Sequence, residues 1–210
     1  MTASESLGRL KQAYTSEGRA VASELMARLG RTRVTPNMLS ATGLGLCIAG
    51  SVVVYLEYRA WWFFLLGSAL FVIGSIVDIL DGALARSQGL GTPFGAFLDS
   101  TLDRVGEGFM LGAIALVLMR DANEWGVALA FTAVMGSFLV SYTRARAEAL
   151  GLRGDVGLSS RAERVVIISV GLAFASLGSL PYVVAILTAT AWITVTQRVL
   201  AVRAQLRERE

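Results

Sequence analysis

Four aspartates in this 210-residue chain are spaced to bind metal. Asp78 and Asp81 are three residues apart, and Asp99 and Asp103 are four apart. Either spacing puts both carboxylates on one face of a helix. Between the pairs runs Ser87-Gln88-Gly89-Leu90-Gly91-Thr92-Pro93, a turn-rich stretch that reverses the chain. The two carrier helices are therefore expected to be antiparallel neighbours with four carboxylates converging between them. Apolar residues flank both pairs, and an ionised side chain inside a membrane costs about 3 kcal/mol unless compensated. Shared protons or a bound divalent cation would relieve the repulsion. The chain has no histidine and one cysteine, Cys47. The commonest nitrogen ligand and any cysteine-cluster zinc site are thus excluded. Oxygen-only donors favour Mg²⁺ or Mn²⁺, and two such ions held by carboxylates suit phosphoryl transfer, because they clamp the attacking and leaving oxygens.

A second polar cluster follows further along. It reads Ser141-Tyr142-Thr143-Arg144-Ala145-Arg146-Ala147-Glu148, then Gly151-Leu152-Arg153-Gly154-Asp155, then Ser160-Arg161-Ala162-Glu163-Arg164, with Arg198 at the end of a later apolar run. Guanidinium groups fit phosphate in a two-pronged fashion, so this cluster reads as an anion pocket for an acceptor carrying its own phosphate. The competing reading is ordinary positive-inside topology with contacts to anionic lipid.

The elements that position these groups follow from composition. The chain is 54% hydrophobic and 17% charged, and its charges gather in islands between apolar runs long enough to cross a bilayer. Six spans are expected near 37–55, 60–79, 94–119, 125–142, 165–180 and 181–199. An N-terminal amphipathic interfacial helix is expected before them, with Leu7, Leu10, Tyr14, Val21, Leu25 and Leu29 at helical spacing. No cleavable signal peptide is expected. The anticipated fold is an all-α integral membrane bundle of six transmembrane helices. Its parts are a juxtamembrane helix over 1–33, the six-helix domain over 34–203 and a tail over 204–210. On this reading 17 of the 19 basic residues fall on the side of both termini, with only Arg59 and Arg120 opposite. That bias places both termini and the aspartates in the cytoplasm, with the protein multi-pass in the cell membrane. No nucleic-acid partner is expected.

The first cluster resembles a known family. The spacing D-x₂-D-G-x₂-A-R-x₈-G-x₃-D-x₃-D is the signature of the CDP-alcohol phosphatidyltransferases, and Asp78, Asp81, Gly82, Ala85, Arg86, Gly95, Asp99 and Asp103 fill it without a gap. The resemblance implies a six-helix, commonly dimeric enzyme with Mg²⁺ or Mn²⁺, in two ions. It implies that Asp78, Asp81 and Asp99 chiefly hold metal and that Asp103 is the catalytic base, itself touching metal. Gly82, Ala85, Arg86 and Gly95, with Asn37, would bind the CDP-lipid. The second cluster resembles the acceptor site of bacterial phosphatidylinositol phosphate synthases and their archaeal ether-lipid relatives. Ser141, Arg144, Arg146, Arg161, Arg164 and Arg198 are then the acceptor-phosphate residues. Arg144 stands where many relatives have Lys, and Ala162 where R-P-E-R has proline. The implied reaction moves a phosphatidyl group from CDP-diacylglycerol to inositol 1-phosphate or another small phosphorylated alcohol, releasing CMP. Phosphatidylglycerophosphate synthesis from glycerol 3-phosphate is the alternative within the family. A small cation transporter is the alternative outside it, although a transporter would be expected to set its carboxylates near mid-membrane.

Overall fold

The computed structural model describes residues 35–209, so the amphipathic helix expected over 1–33 lies outside the described residues. Six α-helices follow one another: α1 (Pro36–Tyr55), α2 (Trp62–Ser87), α3 (Pro93–Arg120), α4 (Glu124–Ala149), α5 (Arg161–Ala173) and α6 (Leu180–Arg207). No strand occurs among the described residues.

Local sequence sets the helix starts. Thr35 and Thr92 cap α1 and α3, accepting from the Met38 and Gly95 amides at 3.3 and 3.0 Å, each followed by a proline at the first helical position. Asn123 caps α4 through the Gly126 amide at 2.8 Å. Ser160 and Glu163 form a reciprocal capping box on α5, the Ser160 amide donating to Glu163 Oε2 at 2.5 Å.

Among the described residues four helical stretches are long and apolar enough to cross a membrane: Pro36–Arg59, Trp62–Arg86, Glu124–Ala149 and Leu180–Arg207. α3 is as long, yet Asp103, Arg104 and Glu107 interrupt its apolar run. α5 spans 13 residues and gives way to a 3₁₀ turn at Ala175–Leu177 and a left-handed Gly178 (φ 78°). The expected fifth span therefore ends early as an α-helix. The outer surface is rich in exposed Leu, Ile, Val and Phe, as a bilayer requires. Exposed Tyr58, Trp61, Trp62, Trp125 and Tyr182 cluster at the α1–α2 connection and at the starts of α4 and α6, the amphipathic residues of a membrane–water boundary.

The packing departs from the expected α2–α3 pairing. α1 lies between them, packing along α2 and α3, while α2 and α3 touch little. Close approach makes this possible: a Cβ on Gly43 would stand 2.9 Å from the Gly74 carbonyl of α2, and one on Gly74 would stand 2.8 Å from Cys47 Sγ. Gly106 of α3 faces the other side of Cys47. A short loop fixes antiparallel direction, but it does not force contact when a third helix has small residues on two faces. α4 pairs with α6, and α5 bridges α2 and α6. The apolar core, including Phe71, Met110, Ile114, Leu118, Leu172, Val184 and Leu187, sits away from the polar end.

Candidate active site

Asp78, Asp99 and Asp103 come together. One carboxylate oxygen from each lies within 4.8 Å of the other two, so donors from α2 and α3 converge although the helices barely touch. Asp78 is buried and the other two are half-buried. Asp81 is buried and outside this trio, its Oδ2 accepting from the Ser40 hydroxyl of α1. Three hard oxygen donors from two rigid helices fit Mg²⁺ or Mn²⁺. The site already attracts a cation: the Arg161 guanidinium reaches in from the start of α5, Nη1 on Asp78 Oδ2 and Nη2 at 2.6 Å from Asp103 Oδ1. The Asp103 contact is an ion pair without hydrogen-bond alignment. A bound ion would supply charge neutralisation for a diphosphate here.

Two open spaces meet at Asp99. The first, about 360 Å³, is lined by Asn37, Ser40, Asp81, Gly82, Ala85, Arg86, Gly95 and Asp99, which gathers every residue expected to contact the CDP-lipid. Thr35 and Thr92 line it too, so the positive ends of α1 and α3 both open on it, as suits a diphosphate. Arg86 folds back over Gly82, where a Cβ would lie 3.3 Å from Nη1, so the glycine leaves the guanidinium room. The second space is a groove of about 900 Å³ between α3 and α4, lined by Asp99, Asp103, Arg104, Ser141, Tyr142 and Arg144.

The arginines expected at the acceptor pocket divide. Arg144 lines the groove, exposed and paired with Glu148 at 2.8 Å. Arg146 is exposed and Ser141 half-buried. Arg104, which sequence reasoning missed, donates from Nε to Ser141 Oγ at 2.8 Å and lies 3.6 Å from Asp103. Arg161 sits among the aspartates. Arg164 is buried and gripped by Glu107, Nε to Oε1 at 2.6 Å and Nη2 to Oε2 at 2.9 Å, with Ser137 donating to Oε1 at 2.7 Å. Arg198 is buried, donating from Nε to the Val156 carbonyl at 2.8 Å and from Nη1 to the Val140 carbonyl. Both thus hold protein groups in the position where acceptor phosphate was expected. Glu107 was legible in one respect: it continues the Asp99, Asp103 series at four-residue spacing.

α6 holds the loop that follows α4. Thr194 Oγ1 accepts from the Leu158 and Ser159 amides at 3.2 and 3.0 Å, close against Gly157, whose φ of 132° favours glycine. Gln205 clasps Arg153 both ways, accepting from its amide at 2.9 Å and donating to its carbonyl at 3.0 Å. Arg209 donates to the Gly151 carbonyl at 2.7 Å.

Comparison with known proteins agrees with this site. The CDP-alcohol phosphatidyltransferase family profile matches residues 33–195. The archaetidylinositol phosphate synthase of Pyrococcus horikoshii is 36% identical over 186 residues, covering 86% of this chain and 92% of that protein. The phosphatidylinositol phosphate synthase of Mycolicibacterium smegmatis is 32% identical over 200 residues, covering 92% and 86%. The crystal structure of the Mycobacterium tuberculosis phosphatidylinositol phosphate synthase with CDP-DAG bound superposes with a TM-score of 0.78 at 28% identity, covering 87% of this chain and 94% of that one. The same protein was also solved in complex with manganese and citrate. With its signature unbroken, its trio of aspartates assembled and residues 33–195 matched, this chain belongs to the CDP-alcohol phosphatidyltransferase family of membrane enzymes.

Proposed function

We propose that this chain transfers the phosphatidyl group of CDP-diacylglycerol to inositol 1-phosphate, giving phosphatidylinositol phosphate and CMP. The observation that carries the reading is the meeting of the two spaces at Asp99: a cleft lined by the signature residues on one side, and a groove with Ser141 and Arg144 on the other. The names of the relatives from Pyrococcus and Mycolicibacterium, and the CDP-DAG held by the mycobacterial structure, support the choice of substrates.

The chain's own groups then divide the work. Asp78, Asp99 and Asp103, whose oxygens converge, would hold divalent metal, with Asp81 close by as a further ligand, and the metal would neutralise the diphosphate. Asn37, Gly82, Ala85, Arg86 and Gly95 orient the CDP headgroup. Arg144, with Ser141, draws the acceptor phosphate into the groove, while Arg146, two residues on, falls outside the groove lining. Asp103 takes the proton from the acceptor hydroxyl, whose oxygen attacks the lipid-side phosphorus as the phosphoanhydride bond breaks and CMP leaves.

In this reading all six helices span the membrane, both termini and the site lie on the cytoplasmic face of the cell membrane, and the protein is a homodimer. α3 can span despite its charges because Glu107 is paired with Arg164 inside the bundle and Arg104 is bonded to Ser141, so lipid need not meet them. Membranes carrying the protein should incorporate radiolabelled inositol 1-phosphate in the presence of CDP-diacylglycerol and Mg²⁺ or Mn²⁺, and lose that incorporation in EDTA. Incorporation of glycerol 3-phosphate in its place would overturn the acceptor assignment. Activity surviving EDTA would overturn the metal.

A further inference from the structure

Arg161 touches the carboxylates that a metal would need. Its two terminal nitrogens lie on Asp78 Oδ2 and Asp103 Oδ1, and Asp78 and Asp103 are two of the three residues whose oxygens converge. The guanidinium is thus a cation on two of the carboxylates a metal would use, and its charge opposes a second cation there.

Its tether makes this more than a chance contact. Arg161 opens α5, whose start is fixed three ways: by the Ser160–Glu163 capping box, by the Ser159 amide on Thr194 at 3.0 Å, and one turn later by the buried grip of Glu107 on Arg164. The backbone cannot withdraw, so the guanidinium stays within reach, and release must come from rotation of the side chain alone. There is somewhere for it to go. Arg161 also lines an apolar groove of about 510 Å³ between α2 and α5, beside Ile76, Ile79, Val165 and Val166. Its long stem can lie on those side chains while its head reaches the polar boundary.

We infer that Arg161 is a built-in countercation of the aspartate site, which offsets part of the charge of Asp78 and Asp103 and competes with metal for these carboxylates. Removing it leaves Asp78 without its guanidinium partner and Asp103 with the Arg104 contact at 3.6 Å, and removes the competitor. A bridge populated about nine-tenths of the time weakens apparent metal affinity about tenfold, since only the released fraction binds. This rests on the reading of Asp78, Asp99 and Asp103 as metal ligands.

The test is Mn²⁺ titration of purified, substrate-free protein in detergent, followed by electron paramagnetic resonance, with thermal melts in EDTA and in saturating Mn²⁺. Arg161→Gln should bind Mn²⁺ about tenfold tighter than the parent. It should melt lower in EDTA and lose that deficit in Mn²⁺. Arg104→Gln removes an equal charge near Asp103, at 3.6 Å, without bridging, and serves as the control for the electrostatic field alone. Equal tightening in both variants would overturn the competition. So would a melting deficit that Mn²⁺ leaves unchanged, the mark of a residue that merely holds α5 in place. Failure of every form, parent included, to bind Mn²⁺ would overturn the metal reading and this inference with it.

Discussion

The aspartate end of α2 and α3 and the arginine-rich stretch from α4 to α6 began as the same kind of sequence feature, charges at helical spacing near a membrane boundary. They end very differently. Asp78, Asp99 and Asp103 converge, and every residue expected at the CDP-lipid headgroup lines one cleft. Of the arginines, Arg144 lines the groove, whereas Arg161, Arg164 and Arg198 turn inward to Asp78, Glu107 and the Val140 and Val156 carbonyls. The difference is one of reach. A carboxylate is short, so its helix and register place it within an ångström or two. An arginine spans several bonds, and its destination depends on which acceptor the tertiary fold brings near.

The largest effect should come from the aspartate side. Asp103→Asn keeps shape and removes the proton acceptor, so turnover should fall by about 10²–10⁴-fold while CDP-lipid binding persists. Arg144→Gln, in the opposite wall, should raise the KM for the phosphorylated acceptor and leave kcat close to the parent. An Arg144→Gln variant that lost kcat instead would erase the contrast between a chemical side and a recognition side. Radiolabelled acceptor assays across a concentration series separate the two outcomes.

A smaller but still large effect should appear in stability where the arginine side is buried. Glu107→Gln leaves the Arg164 guanidinium, almost wholly buried, without its countercharge. Breaking one half of such a pair costs about 3–5 kcal/mol. The variant should show a clear drop in its unfolding midpoint in detergent, whereas Glu107→Met with Arg164→Met should recover much of it. If Arg164 instead faced the acceptor in the working enzyme, Glu107→Gln would raise acceptor KM with little change in the midpoint.

Much of the fold could be read in advance because it rests on local rules. Thr35-Pro36 begins a helix, the apolar runs mark helices, and the 78/81 and 99/103 spacings fix two carboxylate faces. What escaped was tertiary. Nothing in the spacing says that Gly43 and Gly74 let α1 slip between α2 and α3, since a glycine in a membrane helix does not name the helix it meets. The early end of α5 escaped because apolar composition continues through Ala173 into the 3₁₀ turn at Ala175–Leu177. Glu107 stood in the open as the next step of the aspartate series, but its partner lies 57 residues away and reads in sequence as a phosphate ligand.

The smallest effect is the most specific probe of the arginine side. Thr194, Arg198 and Gln205 fall on one stripe of α6, because steps of four and seven residues return to nearly the same angle, and Arg209 lies just past the end of the helix. Each fastens a successive point of the loop running back toward α4, so α6 serves as a template for the segment beside the groove. Gln205 is half-exposed and makes its two bonds to Arg153 near the surface, so Gln205→Ala should cost only about 1 kcal/mol of global stability. Its local effect should be larger than its global one. Amide exchange across 151–159 should quicken, and the acceptor KM should rise while the Asp103-dependent step keeps its rate. Gln205→Glu retains an acceptor for the Arg153 amide but loses the donor to its carbonyl, so it should fall between the parent and Gln205→Ala. Unchanged exchange across that loop in both variants would show that Thr194 and Arg198 alone hold its path, and that the outer half of the template is idle.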